Sequence, residues 1–242
     1  MIENSIFEGK QYSTGSVQTY FCLLIKCNGG DVVINSNKLS NMMLGTINGY
    51  TNLIVENNIT SNWEWMLIVG THINDVTPKA IIRGNKSDAT RILYIEPNSA
   101  TQDIYINNNI LTGKADIREG KSFCFVSTNT SNVYIENNNA TLHCDYIVEK
   151  STGNIGKLLL KNNSFNCYPD TLFRVFNGNG SYVNADIIGN FIQTTKNVTL
   201  RALNFTGKMN VINNVFAGAE TKFTEDTTDT DHLKINNNVY IG

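Results

Sequence analysis

Ten copies of one short unit run through this chain, clearest at 158–165, LLLKNNSF. An Asn marks each copy: Asn4, Asn37, Asn58, Asn85, Asn109, Asn138, Asn163, Asn190, Asn214 and Asn238. Three residues before each stands an apolar side chain, from Met1 and Ile34 to Val211 and Ile235. Five before, wherever the chain reaches back that far, stands another, from Val32 to Leu233. The residue just before the Asn is a second Asn in six copies and otherwise Glu3, Ser36, Gly84 or Gly189. Two places after it comes an inward candidate such as Ile6, Leu39, Phe165 or Phe216.

Apolar residues at alternate positions specify a strand with one buried face. The Asn that follows turns the chain, because Asn tolerates the left-handed conformation and hydrogen-bonds nearby backbone; Gly84 and Gly189 beside it meet the same need without a Cβ. A further strand precedes most copies, as in YFCLLIK at 20–26, MLIVG at 66–70, ILYIE at 92–96, DYIVE at 145–149 and LRALNF at 200–205. The copies recur every 21 to 33 residues, on average 26, with no helical period between them. One strand, one sharp turn and a variable loop repeated in this way predict a parallel β-solenoid of about ten three-sheeted coils, a rod about 48 Å long at the inter-strand spacing.

The repeat runs through all 242 residues with no linker, so residues 1–242 read as a single domain. Both ends fall inside copies of the repeat, which predicts a segment of a longer chain, flanking domains, or assembly as an oligomer. The formal net charge of −2 offers no broad attraction to nucleic acid or anionic membrane, and no apolar run is long enough to span a bilayer. MIENSIFEGK lacks the basic start and apolar core of a signal peptide. The five cysteines, Cys22, Cys27, Cys124, Cys144 and Cys167, fit no metal or redox spacing and read as buried free thiols.

The coil with its asparagine ladder resembles the right-handed, single-stranded parallel β-helix of the pectate-lyase-like superfamily, which includes polysaccharide lyases, polygalacturonase-type hydrolases and phage tailspikes. The resemblance covers essentially the whole chain. It implies a sugar polymer lying along an outward groove beside one sheet, an extracellular, cell-surface or virion-tail location, a homotrimer where the kinship is with tailspikes, and catalysis by clustered Asp, a calcium-bound carboxylate or an Arg. The polygalacturonase-like signatures NTD, DD, GHG and RxK are absent. No cofactor is expected, calcium apart if the chain is a lyase. The acidic cluster Glu225, Asp226, Asp229 and Asp231 reads as a solvated loop more readily than as a calcium site, and His72, His143 and His232 fall in separate coils.

Candidate sugar-binding residues follow from chemistry and position. Trp63 and Trp65 flank Glu64 in a loop, where aromatic faces and a carboxylate suit a sugar; Trp65 reads equally well as the inward first residue of a strand. Arg174 and Arg201 align when FRVFN is matched to LRALN one coil on. Such a pair suits an acidic polysaccharide, since guanidinium groups bind carboxylates with a two-point fork; solvated surface arginines are the plainer reading. Glu96 and Glu149 end their strands alike two coils apart, about 10 Å, within range of two-carboxylate hydrolysis. Three functions follow as expectations: a polysaccharide-binding β-helix of tailspike or bacterial-surface type, a polysaccharide lyase or glycoside hydrolase, and a structural spacer rod.

Overall fold

The computed structural model describes residues 1–9, 22–61, 65–70, 77–89, 91–96, 101–113, 122–127, 130–151, 153–169, 173–178, 181–196, 198–201, 207–218, 221–224 and 233–242. The chain is an all-β parallel β-helix with three sheets, and the described residues contain no helix. Sheet A holds ten strands, from Ile2–Glu3 and Asp31–Asn35 to Met209–Ile212 and Leu233–Asn236. Sheet B holds ten short strands that follow the Asn turn, from Ile6–Glu8 to Val239–Ile241. Sheet C holds nine among the described residues, from Cys22–Lys26 to Thr221–Thr224. Each strand pairs in parallel with its counterpart one coil away, as in Asp103↔Asn132 through Asn107↔Glu136.

The inward rows are those that the alternation predicts. Ile34, Val55, Ile82, Ile106, Ile135, Leu160, Ile187 and Val211 stack as one fully buried row of sheet A, beside a second row from Val32 to Met209. Leu39, Leu111, Phe165, Ile192 and Phe216 face them from sheet B. Where sheet B puts Thr60 and Ser87 in the core, their hydroxyls bond each other at 2.6 Å, so neither is left unsatisfied.

Asparagine has two separate roles at the turn. The left-handed residue is the one before the marker Asn: Ser36, Asn57, Gly84, Asn108, Asn137, Asn162, Gly189, Asn213 and Asn237 all have φ between 52° and 65°. The marker itself turns inward and is buried from Asn37 to Asn214. There it builds the ladder. Asn163 donates its backbone N–H to Asn190 Oδ1 at 3.0 Å, and its Nδ2 bonds the same oxygen at 2.9 Å and Ile135 O at 2.8 Å. Its own Oδ1 accepts the N–H and Nδ2 of Asn138, at 2.9 and 3.0 Å. The expectation that the marker Asn takes the strained turn is therefore corrected. The residue before it takes the strain, and the marker supplies buried hydrogen bonds.

The first coil is also corrected by one residue. Ile2, not Met1, pairs with Ile34, and Asn4, at φ 50°, is the turn residue. Ser5 then holds the ladder position and donates its N–H to Asn37 Oδ1 at 3.0 Å. Met1 and Ile6, expected inside, are 83% and 80% exposed, and Phe7 packs against the core instead. Cys124, Cys144 and Cys167 are buried free thiols, as expected, and Cys27 is a half-buried one.

Candidate binding face

Sheet C collects the residues singled out in the sequence. Trp65 opens the strand Trp65–Gly70, Glu96 follows Arg91–Ile95, Glu149 lies in Tyr146–Lys150, Arg174 in Phe173–Gly178, and Arg201 closes Val198–Arg201. Trp63, Glu64 and the cluster from Glu225 to Asp231 lie outside the described residues. So do the loops at 10–21 and 114–121. The strands of this sheet are more continuously apolar than those of sheet A. Neighbours such as Ile92 and Leu93, or Phe123 and Cys124, are both buried. Phe123 meets Phe165 edge-on across the core, with ring centroids 5.4 Å apart.

Outward from this base, in-register pairing makes one row down the sheet: Leu24, Thr46, Ile68, Tyr94, Phe125 and Glu149. Leu24 is 62% exposed and the others are half-buried. Tyr94 and Phe125 stack with centroids 5.0 Å apart and planes 2° from parallel. Rings stacked at the strand spacing turn their faces to one another, so a ligand above the row meets ring edges and the Tyr94 end of the stack. A second backbone row joins Trp65 to Arg91 and, further along, Ser122 to Tyr146, Arg174 and Thr199. Arg91 and Ser122 in this row are buried, and Tyr146 is half-buried.

Two expected pairings are corrected by the register. Arg174 lies opposite Thr199, and Arg201, two residues on, opposite Thr224. The arginines sit on neighbouring rungs but staggered, with Cα atoms about 8 Å apart instead of one strand spacing. The match of FRVFN to LRALN slipped because both strings share an apolar-Arg start, whereas hydrogen bonding aligns Phe173 with Val198. Glu149 likewise aligns through Phe125 with Tyr94, two residues before Glu96. The two glutamates are then about 12 Å apart at Cα, and the aligned pair is not formed.

Two features escaped the sequence reading. His143 stacks on Tyr168 at 5.2 Å, and Asn166 Nδ2 donates to the Tyr168 hydroxyl at 3.0 Å, a small polar-aromatic group at the C-terminal ends of two central strands of sheet B. The outward face of sheet A carries a half-buried apolar row, Val33, Ile54, Ile81, Tyr105, Tyr134 and Leu159. Reading only the inward positions of each copy hid it; the middle residue of DVVIN, DIYIN and NVYIE is its signal. Among the described residues, no group of three or more His, Cys, Asp and Glu is placed to hold a metal ion. No protein-family model, curated protein or solved structure matches the chain.

Proposed function

We propose that this chain is a polysaccharide-binding β-helix, of the tailspike or bacterial-surface type within the pectate-lyase-like superfamily, and that sheet C carries the polymer. One observation supports this above the rest. The aromatic, basic and acidic residues Trp65, Tyr94, Phe125, Glu149 and Arg174 fall on five consecutive strands of one sheet, with Tyr94, Phe125 and Glu149 in one outward row and Trp65 and Arg174 in a backbone row three residues before it. A coil rise of about 4.8 Å is of the order of one sugar ring, so a linear chain running along the helix axis meets a new rung with each residue. Hydroxyls find Glu149 and the Tyr94 hydroxyl, which share one outward row.

A glycan array, with retained hits incubated and assayed for reducing ends and for ultraviolet-absorbing unsaturated products, tests this. The expected result is binding of one polysaccharide class with the polymer left intact. Cleavage would move the chain to the lyase or hydrolase reading, and the absence of any bound glycan would leave the spacer rod.

A further inference from the structure

Over the six strands from Asp31–Asn35 to Asn154–Lys161, the outward face of sheet A has a longer period than the coil. Its strands read DVVIN at 31–35, NLIVE at 52–56 and KAIIR at 79–83, and then, over the next three coils, DIYIN at 103–107, NVYIE at 132–136 and KLLLK at 157–161. The first, third and fifth residues of each string lie outside, so the face is an apolar middle row between two polar rails. Along the helix axis the rails run negative, negative, positive, and then repeat the same order. The pattern is held by contacts between rungs. Asn52 Nδ2 bonds Asp31 at 2.7 Å, Asn132 Nδ2 bonds Asp103 at 2.9 Å, and Arg83 bridges to Glu56 at 2.7 Å. Lys79 Nζ lies 4.7 Å from the centre of the Tyr105 ring, which stacks on Tyr134 at 4.7 Å.

Such a face is complementary to itself in one orientation only. Stacked on a second copy with helix axes parallel, every rung meets its own equivalent, so Lys79 and Arg83 face the same basic pair. Turned about a two-fold axis along the strands, the six rungs meet in reverse order while the rails stay matched. Asp31 then faces Lys157, and Lys79 faces Asp103, each contact occurring twice by symmetry. Asn107, whose Oδ1 has no hydrogen-bond partner, faces Arg83, and Glu56 opposite Glu136 is the one repulsive contact. In the middle row, small or branched residues meet larger ones: Val33 meets Leu159, Ile54 meets Tyr134, and Ile81 meets Tyr105. Strand directions stay aligned, as sheets stacking about 10 Å apart require.

From this we infer that sheet A is a homodimer face on which two copies pack with antiparallel helix axes. The face is about 24 Å by 13 Å between Cα atoms, and about 29 Å by 17 Å once the outer residues' own half-widths are included, so it covers roughly 500 Å² on each copy. The total of about 1,000 Å² is at the lower edge for a specific interface, so the dimer is a weak one. The inference is independent of sugar binding on sheet C.

Sedimentation equilibrium from micromolar to millimolar chain, at low and high salt, tests it with a charge swap. The wild type should dimerise in a concentration-dependent way. Asp31→Lys places like charges opposite each other twice and should weaken dimerisation at least tenfold, more so at low salt. Adding Lys157→Asp should restore it. Circular dichroism melts of both variants show whether the fold is kept. A monomer throughout, a trimer, or a double swap that fails to restore dimerisation while the fold is intact would overturn the inference. So would a monomer whose sheet A charges respond instead to an added acidic polysaccharide.

Discussion

Replacing Asn163 by Ala removes one rung of the ladder and nothing else of size. The side chain takes part in four hydrogen bonds, two donated by Nδ2 and two accepted by Oδ1. Truncation leaves two buried backbone groups without these partners, the Asn138 N–H and the Ile135 carbonyl. At about 1–3 kcal/mol for each buried group stripped of its partner, the loss is about 2–6 kcal/mol, centred near 4. Two controls fix the cause. Asn162→Ala, at φ 54°, exchanges only a residue tolerant of left-handed backbone for one that is not, and should cost about 1 kcal/mol. Asn166→Ala loses a bond to the exposed Tyr168 hydroxyl and should cost less still. Urea denaturation of the three variants should therefore order them Asn163, Asn162, Asn166, with the first displaced by more than about 1 M. Equal midpoints for Asn163→Ala and Asn166→Ala would refute the ladder as a source of stability.

Further outcomes follow from burial and backbone geometry. A Cβ at Gly49, at φ +78°, would lie 2.0 Å from the Cys27 carbonyl oxygen, whereas one at Gly84 would meet only the movable tip of Asn57. Gly49→Ala should thus lower the thermal midpoint much more than Gly84→Ala, and Gly84→Asn should be close to neutral. Burial lowers the Lys150 amine from 10.5 to about 8, so the unfolded chain holds this proton more tightly and stability should rise with pH from about 8. Burial raises the Cys124 and Cys144 thiols from 9.0 to about 12, which reverses the slope above about pH 9. Denaturation of wild type and Lys150→Met between pH 7 and 9 should show the rise only in the wild type. A thiol reagent should label Cys124, Cys144 and Cys167 only on unfolding, which mass spectrometry of native and denatured protein checks.

The fold was legible because its inward positions obey one rule in every coil. Alternation, the Asn marker and the apolar residue two places on gave sheets A and B almost residue by residue. The rule was weakest at the first coil, where Ile2 and Phe7 could be displaced by Met1 and Ile6 without breaking the apolar pattern. Sheet C was found but less sharply bounded, since its runs of adjacent buried residues carry no period to fix register. Matching by apolar pattern alone therefore sets the Arg174–Arg201 and Glu96–Glu149 pairings two residues out. The division of labour between Asn162 and Asn163 was hidden because both residues are Asn; only the copies with Ser36, Gly84 and Gly189 distinguish them. The sheet A rails were hidden for a different reason. Their period spans three coils, and inward positions carry none of it.

Calorimetric titration of one polysaccharide, chosen from the array, into two matched variants puts the placement of the site to the most direct test. Tyr94→Ser with Phe125→Ser removes the ring stack from sheet C, and Tyr105→Ser with Tyr134→Ser removes the corresponding stack from sheet A. The account predicts binding weakened at least tenfold by the first pair and left intact by the second, about 1.4 kcal/mol or more of difference. Unchanged binding in the sheet C variant, with its melting curve showing a folded protein, would contradict it.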